Sequence, residues 1–254
     1  MRRFYFPALA APDAGPSDQS PLVLTGPEAR HLALVLRLKA GDTVEFFDGL
    51  GQVVQARLQS VTPQRVQAVP VAAHAGRADS CPDLVLAQAL LKGRKMDLVV
   101  QKANELGVQR LLPLVTQFCE KREGGAAALA RWQRIVIESC KQCRRALPMQ
   151  IAAPVPLAGA DFSWAKTRLV AWEGEHEAGL PFAPLEPAAG PLCLLVGPEG
   201  GLHQDEVAHL QSQGFRAFSL GALVLRAETA AISGLSVLRW LSGGLGSFAD
   251  GRWP

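Results

Sequence analysis

A short apolar run near the carboxyl end, Leu192–Val196, breaks without transition into Gly197-Pro198-Glu199-Gly200-Gly201. A run of five apolar residues has no polar face, so as a strand it must be covered on both sides, which is the condition inside a parallel sheet. Three glycines within the next five residues let backbone pass where a side chain would clash, and Pro198 stiffens the bend. Residues 203–213 then have the spacing of a helix, with Leu202, Val207 and Leu210 inward. A second strand is predicted over 215–220. It is followed by an apolar loop, Gly221-Ala222-Leu223-Val224-Leu225, and by a final helix opening at Arg226-Ala227-Glu228-Thr229. Ile232, Leu235, Leu238 and Leu241 give that helix one apolar stripe. Two bends at strand ends thus offer bare backbone N–H and C=O groups between apolar walls. An adenine ring suits such a place, because apolar groups cover its faces while main-chain groups read its edge.

The same alternation runs backward through the chain. Strands are predicted at 84–89, 111–115 and 168–172, and helices at 96–106, closed by Gly107, and 130–147. On the longer helix Trp132, Ile135, Val136, Ser139 and Cys140 share a face. Lys92-Gly93-Arg94-Lys95 makes a basic turn at the carboxyl end of the first of these strands, the end where open α/β sheets bind ligands. The Pro-rich residues 173–191 read as a connection. Strand following helix in this way predicts α/β architecture with a mostly parallel sheet over 83–254.

The chain before it reads differently. Over 1–72 the signals are short strands at 2–6, 43–47, 53–58 and 66–71, with a short helix at 27–36. A loop is expected at 11–21, and Asp48-Gly49-Leu50-Gly51 is a hairpin turn. Residues 73–82 have linker composition. The two segments are a small β-rich domain and a larger α/β domain. Arg2, Arg3, Arg30, Arg37 and Lys39 lie in the first against few acids, either as phosphate contacts or as a solvated face.

Charge and cysteines narrow the function classes. The net charge of +3 is too small for a nucleic-acid surface spread over the whole molecule, so such a surface must be a local patch. No stretch approaches a membrane span, and the amino terminus is too short in apolar residues for a secretion signal, so the cytoplasm is the expected compartment. Five cysteines without framework spacing predict reduced thiols. Cys140 and Cys143 form a single CxxC in a helical pattern, without the four ligands zinc requires, so no metal is expected. Gly244-x-Gly246-x-x-Ala249 imitates a dinucleotide fingerprint, but no strand precedes it and no helix has room to follow. His203 takes a helix-capping position where a hydroxyl is usual, with Glu206 three residues on, and is read as a weaker cap.

The strings LVGPEGGL and LGALVLRAETAA resemble the two signature motifs of the RsmE family, SPOUT-class methyltransferases that act on N3 of a specific uridine in 16S ribosomal RNA. LLKGRKMDLVVQKANELGV is similar to a third family motif. The amino-terminal segments 2–4, 31–42 and 47–51 resemble the family's PUA-like domain. ESCKQCRR resembles a fourth element, in which Gln142 fits, Lys141 replaces a usual Glu and Arg144 a usual Gly.

The resemblance implies a trefoil-knotted SPOUT domain behind a small PUA-like β-barrel, S-adenosylmethionine as methyl donor, and a homodimer formed around the knot. It implies the small ribosomal subunit as partner. The donor is expected across Val196, Gly197, Pro198, Glu199, Gly200 and Gly201 on one loop and Leu220, Gly221 and Leu225 on the other, with Thr229 beside them. Arg226 and Glu228 are the expected catalytic pair, Glu228 either taking a proton or holding Arg226. RNA is expected on Arg2, Arg3, Arg30, Arg37, Lys92, Lys95, Lys102, Gln142 and Arg145, with Gln101 and Glu105 further candidates. A non-catalytic RNA-binding or assembly protein on the same fold, and a SPOUT enzyme acting on tRNA ribose, are the competing readings.

Overall fold

The computed structural model of the chain describes residues 1–9, 21–76, 83–120, 125–175 and 190–245. The expected loop at 11–21 falls almost wholly outside them, as do most of the linker, residues 176–189 of the Pro-rich connection, and the end of the Gly244 motif. The chain forms two compact units, residues 1–78 with 140–148, and residues 79–139 with 149–254. Sequence pattern gives no hint that 140–148 groups with the amino-terminal unit.

The first unit is a five-stranded sheet made of β1 (Arg2–Tyr5), β2 (Leu22–Thr25), β3 (Thr43–Phe47), β4 (Gln52–Val61) and β5 (Arg65–Ala75), ordered β1-β3-β4-β5-β2. Only the β1–β3 pair is parallel. Strand β4 alternates buried and wetter positions over much of its length, as a sheet with one face on a core must. That core gathers Phe4, Val44, Phe46, Ala56, Leu58, Val66 and Ala68. Ala29 and Leu32 join it from α1 (Gly26–Arg30) and the π-helical turn His31–Val35 that continues it. The predicted hairpin forms at Asp48: its carboxylate accepts from the Leu50 and Gln52 amides at 2.7 and 3.0 Å, and Gly49 and Gly51 take φ of +82° and +107°. Strand β2 was missed in the sequence, and β5 runs to Ala75, into the expected linker. In the 140–148 segment, Ala146 sits so close to Gly76 that a Cβ there would collide with it, and Lys141 pairs with Glu28 at 2.8 Å.

The second unit is built on an all-parallel sheet. Its strands are β6 (Leu84–Ala89), β7 (Arg110–Val115), the two-residue β8 (Gln150–Ile151) and β9 (Val155–Pro156), β10 (Thr167–Ala171), β11 (Leu192–Val196) and β12 (Arg216–Phe218). The order is β12-β10-β11-β6-β7-β8, with β9 also on β7. The helices are α2 (Lys95–Glu105), α3 (Ala126–Cys143), α4 (Gln204–Ser212) and α5 (Ala227–Leu241). Every residue of β6 and β11 is buried. On β11, Cys193 and Leu195 face one core with Leu202, Val207, Leu210 and Phe215 around α4. Leu194 points the other way, against Gly234 of α5, where an added Cβ would stand 3.0 Å from Leu194 Cδ2. Helices α5 and α2 pack together. Cys193 is a packed apolar group: burial pushes its thiol up to about 12, against a smaller opposing pull from Arg110 and Arg168. Helix α3 ends at Cys143 rather than reaching 147, because Arg144 turns to φ +62°.

Candidate active site

Register places the two glycine-bearing bends side by side. Across the sheet, Phe218 of β12, Ala171 of β10, Val196 of β11, Gln88 of β6 and Pro113 of β7 stand in one row. The loops that follow therefore leave the carboxyl edge at one level. The bend after Val196 and the loop after Phe218 are separated by a single strand, or about 10 Å at ordinary strand spacing.

Gln88 fastens this edge from beneath. It is fully buried, the one polar side chain in an otherwise apolar strand. Its Nε2 donates to the carbonyls of Ala89 (3.1 Å), Gly197 (3.2 Å) and Val196 (3.4 Å). The residue thus supplies hydrogen bonds to backbone where the strand ladder stops and the bend begins. Sequence reading passed over it, although a lone polar residue in LVLAQA is a legible signal.

The bend itself is packed by neighbouring loops. Gly201 has φ +75° and donates to Pro198 O at 3.1 Å. A Cβ at Gly200 would stand 2.9 Å from Phe118 Cβ, and one at Gly201 would meet the Glu173 carboxylate. The room glycine leaves is filled from this chain, by the loops after β7 and β10; neither Phe118 nor Glu173 was singled out in the sequence. Glu199 ties the bend to the turn after β6: its Oε1 accepts from the Lys92 amide and from Lys95 Nζ, both at 3.0 Å. Burial pushes the Glu199 carboxyl up, but the hydrogen bonds from Lys95, its own amide and that of Lys92, with the Lys95 charge, outweigh it and hold the group below its usual range. Lys92 reaches Glu120 at 2.7 Å, and that hydrogen bond and charge raise its pKa.

His203 caps α4 in place of the usual hydroxyl. Its Nδ1 accepts from the Asp205 amide at 3.2 Å, while Glu206 returns a bond to the His203 amide at 3.0 Å. The other Glu206 oxygen accepts from the Gln117 amide at 2.8 Å, so the cap also anchors the loop beside Phe118.

The second loop is wetter. Ser219 Oγ accepts from the Gly221 amide at 3.2 Å, and Gly221 takes φ +117° with open space where a Cβ would go. Leu223 and Val224 are about four-fifths exposed, while Leu220 and Leu225 are half-buried. Arg226 is the exposed residue before α5, Glu228 is half-buried in its first turn, and Thr229 is exposed. Among the described residues no ion pair joins Arg226 to Glu228.

The expected RNA contacts divide between the units. In the second unit, Lys95 is bound to Glu199, and Lys102 pairs with Glu105 at 2.7 Å as an ordinary helix-surface pair. Gln101 is half-buried beside them. In the first unit Arg2, Arg30, Arg37 and Gln142 are exposed, and Arg145 Nε donates to Leu147 O at 2.5 Å. Arg3 corrects the surface reading: it is 8% exposed, on the face of β1 opposite Phe4, stacked 4.7 Å over Phe47.

Among the described residues no group of three or more His, Cys, Asp or Glu side chains stands together to hold a metal, and no helix is long and apolar enough to cross a membrane. The edge does fit a small donor-rich ligand. Gln88 Oε1 and Glu228 Oε2 are buried acceptor oxygens without a hydrogen-bond partner, and such groups are costly unless something donates to them. A molecule bearing hydroxyl, amino and cationic groups suits that donor deficit.

Comparison with known proteins agrees on both units. Residues 79–239 match the RNA methyltransferase domain family and residues 24–71 the RNA methyltransferase PUA domain family. The ribosomal RNA small subunit methyltransferase E of Mycobacterium bovis is 30% identical, over 89% of this chain and 88% of its own. The crystal structure of the protein of that name from Neisseria gonorrhoeae, bound to S-adenosyl methionine, superposes with a TM-score of 0.79 at 29% identity, covering 95% of this chain and 98% of that one. A methyltransferase structure from Legionella pneumophila with bound cofactor SAM gives a TM-score of 0.80 at 30% identity, covering 94% of this chain and 96% of that one.

Proposed function

Because this chain belongs to the ribosomal RNA small subunit methyltransferase E family, with the fold of its SAM-bound members, we propose that it methylates N3 of a specific uridine in 16S ribosomal RNA using S-adenosylmethionine. The observation that supports this most is the shared register of Gln88, Val196, Ala171 and Phe218, which sets two backbone-rich bends one strand apart above buried, partnerless acceptors. The residues to hold the donor are Val196 to Gly201 and Leu220, Gly221, Leu225 and Thr229. When bound, S-adenosylmethionine supplies a methyl group on a good leaving group, so the protein's task is orientation and a reactive nitrogen. Uracil N3 must lose its proton, and the charge then spreads to O2 and O4. Arg226, exposed at the start of α5 and not paired with Glu228, is free to offer its two-pronged donor to those oxygens. Glu228 is the proton acceptor in this reading, which agrees with its unpartnered oxygen.

The amino-terminal unit binds and orients the RNA, and two copies associate around a knotted second unit in the cytoplasm, where the small subunit is assembled. Transfer of a labelled methyl group to unmodified 16S ribosomal RNA, offered both free and within the small subunit, followed by nucleoside analysis, tests the reaction: 3-methyluridine is expected on one or both, and a ribose-methylated product or no product on either overturns it. Arg226→Ala should lose methyl transfer by at least about a hundredfold while donor affinity stays within a few-fold; near-normal turnover removes Arg226 from the mechanism.

A further inference from the structure

Two non-glycine residues among those described take positive φ, Arg37 at +51° and Arg144 at +62°, and both are arginines of the first unit. An L residue with a Cβ is strained in this region. Glycine enters it freely and asparagine at low cost, whereas a long side chain gains nothing from it. At Arg144 the strain ends α3: a left-handed residue just past the last helical turn is the ordinary stop, and glycine the ordinary occupant. Burial is what chiefly lowers the pKa of Arg3; Glu45, Cys140 and Cys143 oppose it, and Arg144 adds the smallest contribution. Lys141 in the same segment is paired with Glu28. Arg144 itself is exposed. A cation at a helix carboxyl end is favoured by the helix dipole, but a basic side chain within the last turn would supply that without left-handed strain, so a strained and exposed arginine points outward to a ligand.

We propose that Arg144 is an RNA-phosphate contact of this chain, which positions the substrate against the first unit. Phosphate is the partner that suits an exposed guanidinium, which binds it through a fork of donors. The proposal rests on the ribosomal RNA reading above.

The test compares Arg144→Gly and Arg144→Lys with the parent chain, by thermal melting and by retention of an unmodified 16S ribosomal RNA transcript between about 50 and 200 mM salt. Arg144→Gly should melt at the same temperature or up to about 3 °C higher, as strain is relieved. It should bind the transcript at least about threefold more weakly, with the salt slope reduced by about one. Arg144→Lys should recover most of the affinity and the slope. A fall of more than about 2 °C in the glycine variant would show that the guanidinium serves the fold, through the helix terminus, and would overturn the proposal. Unchanged affinity and slope would overturn it as well, and if the parent still made 3-methyluridine the proposed function would stand alone. A parent chain that does not retain the transcript at any salt would sink both.

Discussion

The two sheets of this molecule treat polar residues in opposite ways. In the amino-terminal unit many charged side chains are exposed and unremarkable, and what singles a residue out is an anomaly of conformation or burial: the left-handed Arg144, the buried Arg3. In the parallel sheet the central strands β6 and β11 are buried at every position, and on them any polar side chain is an anomaly by its presence alone. Gln88 is that anomaly, and it sits under the bend after β11. A half-wet sheet therefore hides its functional residues among solvated ones, while a dry sheet displays them.

The largest effect that would break this contrast is a failure of the two units to behave separately. Leu194 is fully buried between β11 and α5, and Phe46 is fully buried in the first unit's core. Leu194→Ala should cost about 3 kcal/mol and Phe46→Ala about 4 kcal/mol. Titration calorimetry and melting with S-adenosylmethionine should then separate them. The donor no longer raises the melting temperature of Leu194→Ala by its normal increment, whereas Phe46→Ala binds donor with unchanged affinity. Loss of donor binding in Phe46→Ala would mean that the first unit takes part in the site.

The next effect sharpens the claim about Gln88. Gln88→Leu keeps the volume but removes the donor shared by Ala89, Val196 and Gly197. Leaving buried carbonyls unsatisfied should cost about 1–3 kcal/mol and weaken donor binding by at least about tenfold. If the substitution lowers stability but leaves donor affinity intact, Gln88 is a structural fastening and not a positioning residue.

Much of the second unit was legible in advance, because its physics is local. Runs such as Leu192–Val196 and Leu84–Ala89 have no polar face and can only be dry strands, and the 3.6-residue spacing of Val207 and Leu210 or of Leu235 and Leu238 marks helices. The two bends were found by their glycines. Why those glycines are needed was not visible: Phe118 and Glu173 fill the space above Gly200 and Gly201, and both come from loops distant in sequence. The first unit was less legible. Strand β2 is a four-residue LVLT run with no alternation to mark it, and no periodicity tells that Ala146 closes on Gly76. The 144–147 stretch looked helical because nothing in the residue types announces a left-handed arginine. His203 does cap its helix, because an imidazole nitrogen accepts from a backbone amide as a hydroxyl does.

The smallest effect concerns Glu199, where wet and dry meet. Its carboxyl is held below its ordinary value because three donors and the Lys95 charge outweigh its burial. A carboxyl whose folded pKa is depressed adds stability that is complete above the unfolded value, and that stability is lost as pH falls through the folded one. The parent chain should therefore lose stability on the acid side between the ordinary glutamate value of 4.5 and the lower folded value, and Glu199→Gln should lose less over that window. The side chain is 29% exposed, so solvent screening keeps the difference at or below about 1 kcal/mol. The amide retains an oxygen for the Lys92 backbone but gives up the Lys95 ion pair, so at neutral pH donor affinity should fall only a few-fold. Melting curves from pH 3 to 7 for the two chains decide the matter: parallel acid limbs would mean that Glu199 gains nothing from Lys95 in the folded state.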